Sequence, residues 1–124
     1  MSRMRTVLII EDDPQYRLTL TAYLEDSGYT VFEAADGLEG LEVFSRVRPD
    51  IVLTDLRMPK LDGLGVIAAV KARSPATPVI AITGTRDLLA EEDALGLGAW
   101  RCLFKPIEDL SILENAIEGA CSNR

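Results

Sequence analysis

The chain has 124 residues, 48% of them apolar, a net charge of −7 and no histidine. That length makes one domain able to bury about two thirds of its unfolded surface. The negative charge argues against nucleic acid as a partner of this chain, and apolar runs of at most five residues are too short to cross a bilayer. No secretory leader is read in the short basic segment before Thr6, so the expected location is cytoplasmic, with no membrane partner. Cys102 and Cys121 are too few and too far apart for a metal motif. Without histidine, any chemistry rests on carboxylates, hydroxyls and lysine.

In chain order, residues 6–10 (TVLII) predict a first strand that stops at Glu11-Asp12-Asp13. Asp13-Pro14 reads as the cap and first residue of a helix with Tyr16, Leu20, Tyr23 and Leu24 on one stripe, ending at Gly28. Residues 30–34 (TVFEA) form the second strand. A second helix starts at Asp36-Gly37, turns Leu38, Leu41 and Phe44 to one side, and stops at Pro49. Residues 51–54 are the third strand. A third helix runs from Gly63 to about Arg73 with Val66, Ile67 and Val70 inward, and residues 79–82 are the fourth strand. Residues 87–97 read as helix, though Ala90-Glu91-Glu92-Asp93 weakens the amphipathic pattern. Residues 100–104 (WRCLF) are the fifth strand. The last helix spans 108–121 with Leu110, Leu113 and Ile117 on its inner face.

Such alternation predicts a parallel sheet with helices on both faces. The first, third and fourth strands are apolar throughout, as strands covered on both faces are. The second and fifth carry Glu33 and Arg101 and belong at the edges. Order 2-1-3-4-5 satisfies this with right-handed crossovers. The expected fold is α/β: a doubly wound (βα)5 three-layer sandwich of the flavodoxin-like kind.

Function in such a sheet lies beyond the carboxyl ends of the strands, at the switch point between the first and third. Glu11, Asp12 and Asp13, then Asp55, then Thr83 with Gly84, then Lys105 with Pro106 all reach that edge. Asp13 reads first as a helix cap. Glu11 and Asp12 read either as solvated turn residues or as ligands. Their closeness to Asp55, with no histidine or arginine in the local motif to offset the charge, favours a divalent cation. Oxygen-only ligands suit magnesium better than zinc, with manganese as the alternative. Asp55, at the tip of a buried strand and followed by the turn through Pro59, Asp62 and Gly63, is then a phosphoryl acceptor. Magnesium would take two phosphoryl oxygens and Lys105 and Thr83 the third, while Gly84 permits close approach. A carboxylate attacks as the anion, so no general base is required.

VLIIEDDP, LTDLRMPKLDG, AITG and LFKPI, in this order and spacing, resemble the receiver domain of two-component response regulators. The resemblance runs from Thr6 to about Ala120, making residues 1–124 one receiver domain with residues 1–5 and 122–124 as flexible ends. It implies that Asp55 takes phosphate from a histidine kinase or a histidine phosphotransfer protein. It also implies that Asp12 and Asp55 bind magnesium directly, that the Arg57 backbone carbonyl completes the protein ligands, and that Glu11 acts through water. Thr83 and Lys105 contact the phosphoryl group, Lys105–Pro106 is a cis peptide, and Met58-Pro59 and Asp62-Gly63 shape the site. Such a domain is no enzyme beyond catalysing its own phosphorylation and dephosphorylation. Its fourth helix, fifth strand and fifth helix control an output domain or a downstream protein, a phosphorylation-dependent homodimer being one form.

One position departs from the family. Where an aromatic usually stands in the fifth strand this chain has Cys102, with Trp100 two residues before it, so the switch pair is Thr83 with Cys102. Arg57 and Thr85 flank the site and are expected to tune the phosphoryl lifetime. AYLEDSGY and KPIEDLSILE resemble receivers that precede phosphatase-like or sigma-adaptor domains, so the chain reads as a stand-alone regulator or as the start of a longer protein. The competing reading is a pseudo-receiver, an interaction module that never takes phosphate. A magnesium phosphohydrolase would want a second carboxylate where Arg57 stands. A flavin-binding protein would want a phosphate loop where Glu11, Asp12 and Asp13 would repel one.

Overall fold

The computed structural model describes residues 5–84 and 88–122. Strands β1 (Thr6–Ile10), β2 (Thr30–Ala34), β3 (Ile51–Asp55), β4 (Val79–Thr83) and β5 (Arg101–Phe104) alternate with helices α1 (Pro14–Asp26), α2 (Gly37–Val47), α3 (Gly63–Arg73), α4 (Leu88–Gly96) and α5 (Ser111–Ser122). The sheet is parallel in the order β2-β1-β3-β4-β5, as the strand composition predicts.

The two cores follow from alternation along the strands, which sends successive side chains to opposite faces. Val7 and Ile9 meet Leu20 and Leu24 of α1 and Leu113 and Ile117 of α5. Leu8 and Ile10 meet Val43 and Phe44 of α2 and Val66, Ile67 and Val70 of α3. Helices α1, α2 and α3 each start on an aspartate: Asp13 accepts from the amides of Gln15 and Tyr16, Asp36 from Glu39, and Asp62 from Gly65. These caps satisfy amides that the first turn leaves without partners. They also fix where each helix begins relative to the strand before it.

Three local expectations change. Leu38 is 56% exposed, and α2 turns Gly37, Gly40, Val43 and Phe44 inward with Leu41 half-buried. Gly40 is what permits this, because a Cβ there would come 2.4 Å from Ile10 Cδ1. Helix α5 starts at Ser111, not at Glu108. Asp109 draws the chain into the helix by accepting from the Ser111 amide at 3.0 Å and hydroxyl at 2.7 Å. Trp100 precedes β5, is 43% exposed, and donates its amide to the Val79 carbonyl.

The back of α5 is fastened. Tyr23 donates to Glu114 Oε1 at 3.0 Å, Tyr29 donates to Glu118 Oε2 at 2.5 Å, and Arg5 donates to the same Glu118 carboxylate. Arg5 and Ser122 thus belong to described structure, whereas the remainder of the two expected flexible ends lies outside the described residues. The expected helix start at Asp87, and Thr85, lie outside them as well.

Candidate functional site

Four strand ends build one site because the sheet is parallel and in register. Asp55 closes β3 and Thr83 closes β4, one step beyond the Asp55–Ile82 pair. Thr83 stands opposite Phe104 on β5. The next residue, Lys105, is held by its own backbone, its amide donating to the Thr83 carbonyl at 2.8 Å. Glu11 follows β1 and donates its amide to the Ala34 carbonyl at 3.0 Å, which fixes it at the switch point.

Around this backbone the side chains converge. Lys105 Nζ lies 2.7 Å from Glu11 Oε1 and 3.0 Å from Asp55 Oδ2, bridging two carboxylates that are 2% and 7% exposed. The other Asp55 oxygen accepts from the Arg57 amide at 3.2 Å, and the other Glu11 oxygen from the Asp13 amide at 3.0 Å. Asp12 is exposed beside them, and one carboxylate oxygen each from Glu11, Asp12 and Asp55 lie within 4.8 Å of one another. An all-oxygen donor set of this kind fits a hard divalent cation. Thr83 is buried and Gly84 is exposed next to it. A Cβ at Gly84 would come no closer than 4.0 Å to Lys105 Cδ, so packing against the described residues does not demand glycine there.

Electrostatics follow from burial. Loss of solvent pushes the Glu11 carboxyl above the usual carboxylate range, opposed by its bond to Lys105. For Lys105 burial acts downward, but the bonds to Glu11 and Asp55 outweigh it and the ammonium is held above its ordinary value. The lysine that bridges Glu11 and Asp55 is therefore held in its charged form at neutral pH.

Several contributors were not visible in the motifs. The sequence offers no cation beside Glu11 and Asp12, yet the fold brings Lys105 from the far end of the chain to that place. Arg17 donates to the Glu11 carbonyl at 2.7 Å and to Glu33 at 3.0 Å, tying α1 to the ends of β1 and β2. Tyr16, expected only as core, also lies against Lys105, with the ammonium 4.7 Å from its ring centroid. Arg17 and Tyr16 fall one helical turn after the cap Asp13, and that spacing is the signal that finds them.

Cys102 is buried in the cluster with Ala81, Ala94 and Ala99, and burial pushes its thiol up to about 11. Phe104 lies on the same strand face, half-buried and in register with Thr83. Cys102 and Cys121 are both free and buried. Alkylation by iodoacetamide at pH 8 is expected to be at least ten times slower in the native protein than in urea. Native labelling of Cys102 at the unfolded rate would contradict its placement.

Three comparisons bear on this geometry. The family model for the response regulator receiver domain matches residues 7–118. Among curated proteins, Regulator of RpoS from Escherichia coli K12 is 33% identical over 91% of this chain, and the DNA-binding transcriptional regulator NtrC of the same strain is 37% identical over 90%. This chain spans 34% and 24% of those two proteins. Among solved structures, a response regulator receiver domain protein from Clostridium thermocellum superposes with a TM-score of 0.91 at 32% identity, covering 96% of this chain and 95% of that one. Sequence motif, strand order and structural likeness thus agree, and the chain belongs to the response regulator receiver domains, the signalling domains of two-component systems.

Proposed function

We propose that the chain is a phosphorylation-controlled switch in which Asp55 takes a phosphoryl group from a histidine kinase or a histidine phosphotransfer protein. The observation that carries this reading is the Lys105 ammonium poised on a buried Asp55 carboxylate at 3.0 Å. In the transfer, an Asp55 oxygen bonds to phosphorus as the bond from phosphorus to the donor's imidazole nitrogen breaks, in line and without a proton leaving Asp55.

Asp12, Asp55 and the Arg57 carbonyl would hold magnesium directly and Glu11 through water, manganese serving as a substitute. Bound there, the ion would supply positive charge to the phosphoryl oxygens. The chain's own residues do the rest. The Arg57 amide fixes one Asp55 oxygen. Lys105 passes from Asp55 to a phosphoryl oxygen, Thr83 donates to the same group, and Gly84 leaves room for it. Such a domain catalyses only its own phosphorylation and dephosphorylation.

The signal leaves through α4, β5 and α5. Among its described residues α4 buries only Ala94, while Leu88 and Leu89 are 72% and 71% exposed and Leu95 and Leu97 are also exposed. A weakly buried helix that follows Thr83 in the chain and packs on β5 is the element most easily biased by a new charge. Cys102, the small member of the proposed switch pair, stands opposite Ala81, two steps before the Thr83–Phe104 pair on the same sheet face. The occupant of this face is an output domain, a downstream protein or a second copy of the chain, in the cytoplasm.

Incubation with acetyl phosphate and magnesium tests the reading. The wild type should gain the mass of one phosphoryl group, Asp55→Asn none, and chelation of the metal should prevent the gain. Absence of added mass would leave the phosphorylation-independent interaction module as the better description, and persistence of that mass in Asp55→Asn would remove Asp55 as the acceptor.

A further inference from the structure

We infer that Tyr16 is a positioning residue for Lys105, its ring face holding the ammonium over the gap between Glu11 and Asp55. The inference rests on the reading of Asp55 as phosphoacceptor. The Lys105 ammonium lies 4.7 Å from the Tyr16 centroid, well inside the range of about 6 Å over which a ring face attracts a cation. Lysine carries its charge on a flexible four-carbon stem and needs such restraint to act from one place. Two of its three N–H donors face Glu11 and Asp55. The ring closes a further side.

The ring is itself fixed. It stands in the first turn of α1, where Asp13 receives the Tyr16 amide, and it packs with Ile107 against the α1–α5 core. Its hydroxyl is buried beside the Ile107 backbone and bonds to no side chain among the described residues. What Tyr16 offers Lys105 is therefore the ring alone, and phenylalanine presents the same face. Arg17, the neighbouring cation, is turned away to the Glu11 carbonyl and Glu33. As the ammonium passes from Asp55 to a phosphoryl oxygen, it keeps its contact with the ring.

The test uses the full chain with labelled lysine, of which only Lys60, Lys71 and Lys105 are present. In the unphosphorylated, magnesium-free protein the Lys105 Cε protons should resonate upfield through the ring current. The displacement should persist in Tyr16→Phe and vanish in Tyr16→Leu. Phosphorylation by acetyl phosphate should be unchanged in Tyr16→Phe and slower by roughly two- to fivefold in Tyr16→Leu. If Tyr16→Leu does not fold, Tyr16→Met fills the space with a flexible side chain and no ring, and carries the same expectations. Unshifted Lys105 protons in the wild type, or leucine and methionine variants reacting at the wild-type rate, would overturn the inference. A wild type that takes no phosphoryl group would overturn the phosphoacceptor reading, and the effect of Tyr16 on the reaction with it. The proton shifts would still decide whether the ring holds the lysine.

Discussion

Replacing Lys105 with alanine is expected to slow phosphorylation of Asp55 by acetyl phosphate about 10²- to 10³-fold, the loss typical of one preorganised donor to a developing charge. The expectation follows from what the ammonium does before any phosphate arrives. It sits 2.7 Å from a Glu11 oxygen and 3.0 Å from an Asp55 oxygen, and both carboxylates are buried. Without it, no described side chain brings a cation to Asp55, and burial pushes the Glu11 carboxyl further up. The variant should therefore depend more steeply on magnesium, whose charge then has less competition and more to neutralise. Lys105→Arg should recover only part of the rate, because a planar guanidinium cannot occupy the place of a compact ammonium. Initial rates across a magnesium series decide the matter. An alanine variant within threefold of wild type at every concentration would remove Lys105 from the reaction.

Gly63→Ala is expected to be strongly destabilising. A Cβ at Gly63 would come 2.2 Å from the Asp55 carbonyl oxygen and 2.6 Å from Leu56 Cα. Both obstacles are backbone, and they belong to the segment that presents Asp55. Nothing there can swing aside, so the start of α3 must back away from the end of β3. Overpacking of this kind costs about 3 kcal/mol, against which the helical gain of alanine over glycine returns about 1 kcal/mol. Gly65→Ala two residues later is the control. There the Cβ meets Leu61 Cδ1 at 2.5 Å, the far end of a half-buried side chain that can rotate, so stability should change by about 1 kcal/mol or less. Urea midpoints for the two variants separate the cases. Equal midpoints would mean that the loop after Asp55 is free to move, and that Gly63 does not set the position of the carboxylate.

Much of the architecture was legible because the strands are unambiguous. TVLII, IVLT and VIAI are continuous apolar runs ending in polar residues, and each becomes a buried strand with chemistry at its tip. The Asp13 cap was equally plain, since a side-chain acceptor before a helix is a local signal, whereas Asp62, read only as part of the turn after Asp55, also caps a helix. Leu38 was misjudged because periodicity gives a stripe and not its depth. In the first turn of α2 that stripe overhangs the sheet, and two glycines take the contact. The start of α5 was misplaced because Asp109 outranks Glu108 as the acceptor that opens the helix, a choice made by geometry after the Lys105–Pro106 turn. That peptide is cis, as the resemblance implied.

The site divides in the same way. Which residues reach the sheet edge was readable from strand ends. How their charges pair was not, because Lys105 and Glu11 are almost a whole chain apart and only the register joins them. Tyr16 and Arg17 were hidden for the opposite reason: they stand close to the acidic motif in sequence, but as members of a helix stripe they invited a reading as packing and surface.

The phenol–carboxylate bonds behind α5 have a mechanical consequence. Tyr23 and Tyr29, with Arg5, rivet one wall of the domain, whereas the flank at α4 is seated on buried Ala94 and half-buried Ala90. A push delivered at Asp55 meets unequal compliance on its two sides. On the proposed phosphorylation of Asp55, the fastened α5 would transmit displacement as a rigid piece, while α4 would yield to it. Direction is thereby built into the domain's elasticity, before any partner is present to read it.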